Sequence, residues 1–588
     1  MKPPSKSPNT GRQGHLTELL PSEWVAAPLA AVLMGVAFSY PLVLHPATPG
    51  VFHDWDFSLQ LQWAAYHTIA RYHQLPLWNP WKCGGMPLLG NPQSHFLSPC
   101  FLLTMIFGAV AGLHLEVPAH FIAAWLGTYL LGRVLSMRPF SAAAAACAFS
   151  TSSWFNLHAC EGHIVFLPIA YAPWALAFAI IGCAPNRIGA SIAAGAMLAL
   201  AFFEGGGYPP VFIAIVLVVV LATLSVALRS FAPSRSLLIA ILFAAGFAAV
   251  KALPGYDVLQ AHPRPTPVAY VTDWSTIWTA MFSRNQDLLR ASFNSVGFHE
   301  MGAYIGLFAI PALIGLTRVR RALPWALAAI VMILLARGDS GRDSLWSLFH
   351  ALPIGSEMRL PSRFLMMVPL AVGVLAGFGF DMILSTRRPG ASILAVALLI
   401  VAVLDNFAVT TPNLNYALQW QVSPSPPRAD FRQYGLPPRE VAGHKQLRVS
   451  MYQLSVENLG NVGCYEYEDN WKTPVIGAEQ PEYHGEAYMA GPGLVQLTRW
   501  TPNRLEYETD LPGAGILVVN QNYDPGWRAT GGISQPISER GLLAVSVPPG
   551  KRTIQLEYLP GSFEVGSAIT ILTVLAAFAI PKWLMRRG

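Results

Sequence analysis

Charge is what this sequence has least of. Only 12% of its 588 residues are Asp, Glu, Lys or Arg, about half the ~25% of an ordinary soluble domain. A chain this poor in charge and 53% hydrophobic is not built for water, and lipid is its expected solvent. Its six cysteines show no paired C-x-x-C spacing, which excludes a zinc finger or ribbon. The net charge of +6 would suit nucleic acid, but the basic residues come as short groups scattered between apolar runs rather than as one patch, so no nucleic-acid partner is expected. Ionisable residues are nearly missing from the middles of those runs. An ion-coupled carrier needs some of them there, at broken helices.

What the sequence has in abundance is apolar runs of about twenty residues, enough to cross a hydrocarbon core of ~30 Å as helix. Twelve spans are expected, near residues 23–44, 115–135, 139–156, 163–182, 187–204, 208–228, 235–252, 300–317, 322–337, 361–383, 390–409 and 565–584. The first is too long for a signal h-region and lacks a small-residue cleavage site, so it reads as a retained span. Cytoplasmic loops are enriched in Lys and Arg. That rule places Arg133/Arg138, Arg187, Arg229/Arg235, Arg318/Arg320/Arg321, Arg387/Arg388 and Lys582/Arg586/Arg587 inside, and with them both termini. The apolar stretch 97–113 would invert every later loop if it crossed, and it is read as interfacial or re-entrant.

Three outer segments are large: residues 45–98, residues 253–299, and a domain after 410. The expected organisation is a transmembrane module over 1–409, an extracytoplasmic β-rich domain over 410–564, and a final helix with a basic tail over 565–588. A Pro-rich linker (423–428) opens the outer domain. Strands are expected at 515–520, 542–547 and 553–558 between Gly/Pro turns, as in a small β-sandwich. The outer compartment permits disulfides, and Cys83 with Cys100 is a candidate pair.

Acidic and basic side chains gather at the outer ends of the spans: Glu116, Glu161, Glu204, Lys251, Glu300, Arg359, Arg363 and Asp405. Buried charge in a membrane is costly and usually functional. In the first outer loop, Asp54 and Asp56 would project to one face of an extended segment, followed by an amphipathic stretch to Tyr72. A carboxylate there suits general-base work, worth roughly 10² to 10⁴ in rate; the alternative is a pair of solvated loop acids. His158, Glu161 and His163 carry mixed ligands of a kind a divalent metal accepts, but a two-histidine loop is more often a hydrogen-bonded connection, and no metal or other cofactor is assigned. Arg359 and Arg363 stand four apart at a helix start, suited to holding phosphate, against simple snorkelling at the interface. Glu204 to Tyr208 is first of all a glycine-rich turn, although both side chains could line the same cavity. Lys251 and Arg264 are further candidates for phosphate.

Several stretches also resemble a known family. Asp54, Leu77-Trp78-Asn79-Pro80, Gly84-Gly85-Met86-Pro87 and Asn91-Pro92-Gln93 are similar to the first outer loop of bacterial YfhO-type membrane proteins. Glu300-Met301-Gly302-Ala303-Tyr304-Ile305-Gly306, Arg359-Leu360-Pro361-Ser362-Arg363-Phe364, Tyr523-Asp524-Pro525-Gly526-Trp527 and Tyr558-Leu559-Pro560-Gly561-Ser562-Phe563 resemble that family's later signatures. Glu204 to Tyr208 matches a Gly-His-Pro-Gln-like turn only loosely. The resemblance implies a GT-C-like bundle, a polyprenyl-phosphate-linked sugar donor, and an aspartate base falling on Asp54 or Asp56. It also implies a cell-envelope glycan or polymer as acceptor.

The expected fold is therefore mostly α, a polytopic bundle with a β-sandwich-like outer domain before the last helix. The expected function is inverting sugar transfer on the outer face of the bacterial inner membrane, with Arg359 and Arg363 holding the leaving phosphate. The rival readings are a lipid-linked-sugar flippase or transporter and a non-catalytic envelope-assembly protein.

Overall fold

The computed structural model describes residues 21–262, 270–287, 297–341, 343–353, 355–386, 388–435, 440–441, 444–445, 450–465, 473–530 and 534–585. Arg264, Arg387, Arg586 and Arg587 lie outside them. Among the described residues nine helices are long and apolar enough to cross a membrane: Ala109–Val134, Ile164–Ile181, Ile188–Gly205, Tyr208–Leu228, Ala232–Ala261, Val319–Ala336, Pro361–Ser385, Ala391–Leu418 and Gly561–Trp583. By length and composition this is a multi-pass membrane protein. Two shorter apolar helices, Glu23–Phe38 and Gly306–Leu316, occupy two more of the expected spans. The last helix is only 6% buried and leans on Ala232–Ala261, with the Thr570 hydroxyl donating to the Gly246 carbonyl at 3.1 Å. Its remaining surface, with Leu572, Leu575 and Phe578 exposed, suits lipid.

Two expected elements come out differently. The run 139–156 is broken into Pro139–Ser150 and Ser153–Glu161. Its polar stretch gives the reason: the Ser150 and Thr151 hydroxyls bond back to the carbonyls of Ala146 and Cys147, which bends helices, and Ser153 turns to Gln286. The stretch 97–113 divides at Gly108, whose φ of +83° ends a seven-residue helix, Phe101–Phe107. At ~1.5 Å per residue that helix cannot span, and the residues from Ala109 on belong to the next long helix.

Two of the basic groups meet at one end of the bundle. Arg133 pairs with Glu23 at 2.9 Å, the Arg138 backbone N–H donates to Asp381 at 3.1 Å, and Arg318 lies 3.9 Å from Asp381. Arginines from two of the basic loops thus share one level, opposite the end where Asp54, Glu161, Glu300 and Arg363 gather.

After residues 422–428, which carry no regular structure, the outer domain forms two four-stranded antiparallel sheets. One runs Ile537–Glu539, Leu542–Val547, Gly515–Asn522, Ala487–Ala490; the other Trp527–Thr530, Gly550–Tyr558, Arg504–Leu511, Leu494–Thr501. Alternate residues of both, including Leu505, Tyr507, Leu517, Leu543, Val545, Ile554 and Leu556, fill one apolar core. That core also takes in Leu77, Trp78 and Leu89 of the first outer loop. The Trp78 ring packs against Trp527 at 5.4 Å and Tyr558 at 4.7 Å. The loop residues 78–79 and 86–87 pair as a small hairpin. Gly85, at φ +98°, has no room for a side chain, since a Cβ would stand 2.8 Å from the Trp78 ring. The Trp78 and Gly85 motifs therefore serve docking.

The disulfide expectation is corrected: Cys83 is bonded to Cys464, 381 positions away, and Cys100 is free. The hairpin carries Cys83 toward the outer domain, where the Asn522 side-chain amide donates to the Cys83 and Gly85 carbonyls. Cys100 faces the helices instead. Under non-reducing conditions Cys464 should resist maleimide in the native protein. It should become reactive in Cys83→Ser and stay protected in Cys100→Ser; protection of Cys464 in Cys83→Ser would refute the pairing.

Candidate active site

The first outer loop opens into a 19-residue helix, Asp54–Tyr72, rather than an extended segment. Two acids two apart on a helix point ~200° apart, so Asp54 and Asp56 separate. Asp56 turns to the outer domain, where the Ser450 hydroxyl and the backbone N–H groups of Met451 and Tyr452 donate to it at 2.5, 2.8 and 3.0 Å. It caps the start of Met451–Val456 and ties the loop helix to the outer domain. The face shared by both acids is corrected accordingly.

Asp54 turns to the bundle. Its Oδ2 lies 3.0 Å from His163 Nε2, and the Tyr465 hydroxyl donates to its Oδ1. The helix start is seated by the Trp55 indole donating to the Ala159 carbonyl at 3.0 Å and the Ser58 hydroxyl to the Gly162 carbonyl at 2.9 Å. His53, at φ +46°, precedes the helix, and its Nδ1 meets both oxygens of Glu161 at 2.8 and 2.9 Å. Behind this row stand His299, with Nδ1 3.9 Å from Glu161 and Nε2 3.4 Å from Glu300, and His158, with Nδ1 3.2 Å from His163 Nδ1.

Glu300 closes the circle with Arg363, whose Nε and Nη2 donate to its two oxygens at 2.5 and 2.6 Å. The Arg363 guanidinium lies between the rings of Phe166 and Tyr208, 4.8 and 4.9 Å from their centroids, an arrangement Lys could not copy. The Tyr208 hydroxyl accepts the Arg359 backbone N–H at 3.1 Å. Among the described residues the Arg359 guanidinium, half-buried, has no partner. Asp54, Glu161, His158, His163, Glu300, Tyr208, Arg359 and Arg363 are therefore brought to one place, at the end of the bundle away from the basic loops. His163, His299 and Glu300 have ligand atoms within 4.8 Å of one another, the grouping here that could hold a cation, although Asp54 and Arg363 already occupy two of the three.

Two candidates go elsewhere. Lys251, expected to meet phosphate, is 1% exposed and its ammonium faces four backbone carbonyls, of Pro92, Ser94, Phe202 and Phe203, at 3.0, 2.5, 3.4 and 2.8 Å. Three N–H donors are thereby spent on main chain. Glu204 turns away from Tyr208 into the protein, accepting from Ser98, His120 and Tyr171. His53, His299 and Tyr465 are the residues that the sequence reading passed over. His299 adjoins Glu300 and His53 adjoins Asp54, so both stood inside singled-out stretches. Tyr465, 411 positions from Asp54, gave no signal.

Burial pushes the Asp54 carboxyl up, but the hydrogen bond and charge of His163, with the Tyr465 hydroxyl, hold it below its usual range. Burial likewise disfavours the His163 imidazolium, and Asp54 outweighs it, so His163 is raised. His53 is raised by its bond to Glu161, whereas burial drives His158 well down and keeps it neutral. Both shifts favour the charged forms of Asp54 and His163 against each other. A raised imidazole contributes its full stability below its ordinary 6.5 and loses it as pH climbs through the raised value; the lowered Asp54 contributes above 3.8 and loses it as pH falls through the folded value. The thermal midpoint of the purified protein should thus fall as pH rises above 6.5. The stability slope should be at most ~1.4 kcal/mol per pH unit per imidazole. Asp54→Asn should remove the His163 share of that slope; an unchanged slope in the variant would dissolve the pair.

No family model matches the chain, and no curated protein matches it. Among solved structures it is similar to the arabinofuranosyltransferase AftD from Mycobacteria, at 16% identity and a TM-score of 0.42, over 75% of this chain and 32% of that one. It is also similar to the archaeal oligosaccharyltransferase AglB from Archaeoglobus fulgidus, solved with an inhibitory peptide and a dolichol-phosphate, at 13% identity and a TM-score of 0.43, over 77% and 65% of the two chains. The chain spans about a third of the length of AftD and just under two thirds of AglB.

Proposed function

We propose that the protein is a membrane glycosyltransferase of the GT-C kind that moves a sugar from a polyprenyl-phosphate-linked donor to a cell-envelope acceptor outside the bacterial inner membrane. The observation that carries this reading is the convergence of Asp54 and the Arg359/Arg363 pair on one polar cluster at the end of the bundle opposite the basic loops. A base and a phosphate cradle at one interface are what a donor anchored in lipid and an acceptor arriving from water require. The YfhO-like stretches of the sequence support it, and the reading carries with it twelve spans, both termini cytoplasmic and a sandwich-like outer domain.

In this reaction Asp54 takes the proton of the acceptor hydroxyl as its oxygen bonds to the anomeric carbon. The bond from that carbon to the phosphate oxygen breaks on the opposite side, inverting the centre, and the lipid phosphate leaves with the electron pair. Its negative charge is met by Arg359, whose guanidinium has no partner among the described residues; preorganised charge of this kind is usually the largest single catalytic term. Arg363 is committed to Glu300 and holds Tyr208, through which the Arg359 backbone is positioned. His163 keeps Asp54 ionised and aimed, and receives the field of the proton that Asp54 gains.

Asp54→Asn should cut sugar transfer in membranes by roughly 10² to 10⁴ while leaving the protein folded. Asp56→Asn should act on the attachment of the outer domain, lowering thermal stability by about 1–3 kcal/mol through the donors left unpaired. Arg359→Gln should weaken binding of undecaprenyl phosphate to the purified protein, by about 10-fold for a charge-assisted contact worth ~1.5 kcal/mol. Full transfer by Asp54→Asn, scored as the restored envelope glycan in a deletion strain, would reject the assigned base. Transfer of labelled lipid-linked sugar across a vesicle bilayer, with no glycoside formed, would replace the enzyme by a flippase.

A further inference from the structure

The reaction above leaves a second buried polar cluster unused, on the far side of the Glu204 to Tyr208 turn. Glu204 Oε2 lies 2.6 Å from His120 Nε2, and its Oε1 accepts from Ser98 and, at 2.9 Å, from Tyr171. Cys100 completes a triangle, since one ligand atom each of Cys100, His120 and Glu204 lies within 4.8 Å of the others. A single point therefore stands within about 2.8 Å of all three, against the ~2.0–2.3 Å of zinc bonded to such atoms.

An independent observation points to a ligand here. Glu116 is 1% exposed, yet among the described residues both of its carboxyl oxygens lack a hydrogen bond. It lies one helical turn before His120 on the same face, and the His120 ring bonds to the Glu116 carbonyl at 2.9 Å. His95, also buried, has neither ring nitrogen hydrogen-bonded, and its Nδ1 stands 3.6 Å from Glu116. A carboxylate taken out of water without a donor is among the costliest groups a protein can bury. A cation at the triangle gives Glu116 its partner, with His95 behind it as an outer support.

We propose that Cys100, His120 and Glu204 form a structural zinc site, with the Glu116 carboxyl beside it. The ligand set selects the metal: a thiolate beside an imidazole suits zinc and disfavours magnesium, calcium and manganese. His120 and Glu204 are fully buried, and a position closed to water marks a structural rather than a catalytic ion. The charges also balance. Zinc and the Lys251 ammonium oppose one thiolate and two carboxylates, the Cys100 thiol and the His120 ring nitrogen facing Glu204 each releasing a proton on binding. The ion pins the end of the first outer loop to the helices Ala109–Val134 and Ile188–Gly205, directly beneath the turn that presents Tyr208 to Arg359.

The test uses the full-length protein purified in detergent without chelator. Elemental analysis should find ~1 zinc per chain, as for any closed site, and at least a fivefold drop in Cys100→Ser and in His120→Ala. Because those variants disturb a core, the wild-type protein is also stripped and refilled with cobalt, which should give tetrahedral bands and a thiolate-to-cobalt charge-transfer band. That band should vanish in Cys100→Ser and survive in His299→Ala, which separates this site from the cluster at Asp54. Equal zinc in wild type and Cys100→Ser, or a cobalt spectrum without the sulfur band, would overturn the proposal. Neither readout depends on sugar transfer, so failure of the zinc site and failure of the enzyme reading are told apart.

Discussion

The site depends on one close approach. At Gly162, where the chain leaves Ser153–Glu161, φ is +91° and a Cβ would stand 2.2 Å from the Trp55 backbone nitrogen. Glycine both permits that backbone turn and lets the loop helix drop onto the bundle. With it come the two bonds that seat the helix start, from Trp55 and Ser58. The contact puts His53 against Glu161 and Asp54 against His163. Any residue larger than glycine would lift the helix start and separate all four side chains together.

From that contact the first outer loop runs outward with two attachments. Its helix is held on one side by the bundle and on the other by Asp56 at the Met451–Val456 start; its hairpin then enters the core of the outer domain through Leu77, Trp78 and Leu89 and is bonded there through Cys83 to Cys464. Tyr465, the residue after that cysteine, reaches back to Asp54. The outer domain is therefore part of the floor of the site, and the separate acids of one short motif divide the labour: Asp54 serves the cluster, Asp56 the architecture.

Much of the helical layout was readable from apolar runs because a hydrocarbon core punishes every interruption, and two of the basic loops do meet at one end. What periodicity could not show was where hydroxyls bond back, so the break at Thr151 was missed. The acids were seen but misread in geometry: an Asp-x-Asp in an outer loop carries no mark that it begins a helix. Lys251 looked like a cation for phosphate because sequence records charge but not the four carbonyls around it. The Cys83 to Cys464 pairing and Tyr465 were out of reach for the same reason, as contacts across some 400 positions leave no local trace.

Burial sorts the charged groups by what they still lack. Arg363 has spent its fork on Glu300 and its faces on two rings. Lys251 has spent its donors on main chain. Each of these is a finished interaction, and finished interactions hold structure. Arg359 and Glu116 are unfinished among the described residues, one a half-buried cation and the other a fully buried carboxyl group. Leaving such groups unpaired is costly, so each marks where a partner of opposite charge belongs: an anion arriving from the membrane at Arg359, and a resident cation at Glu116.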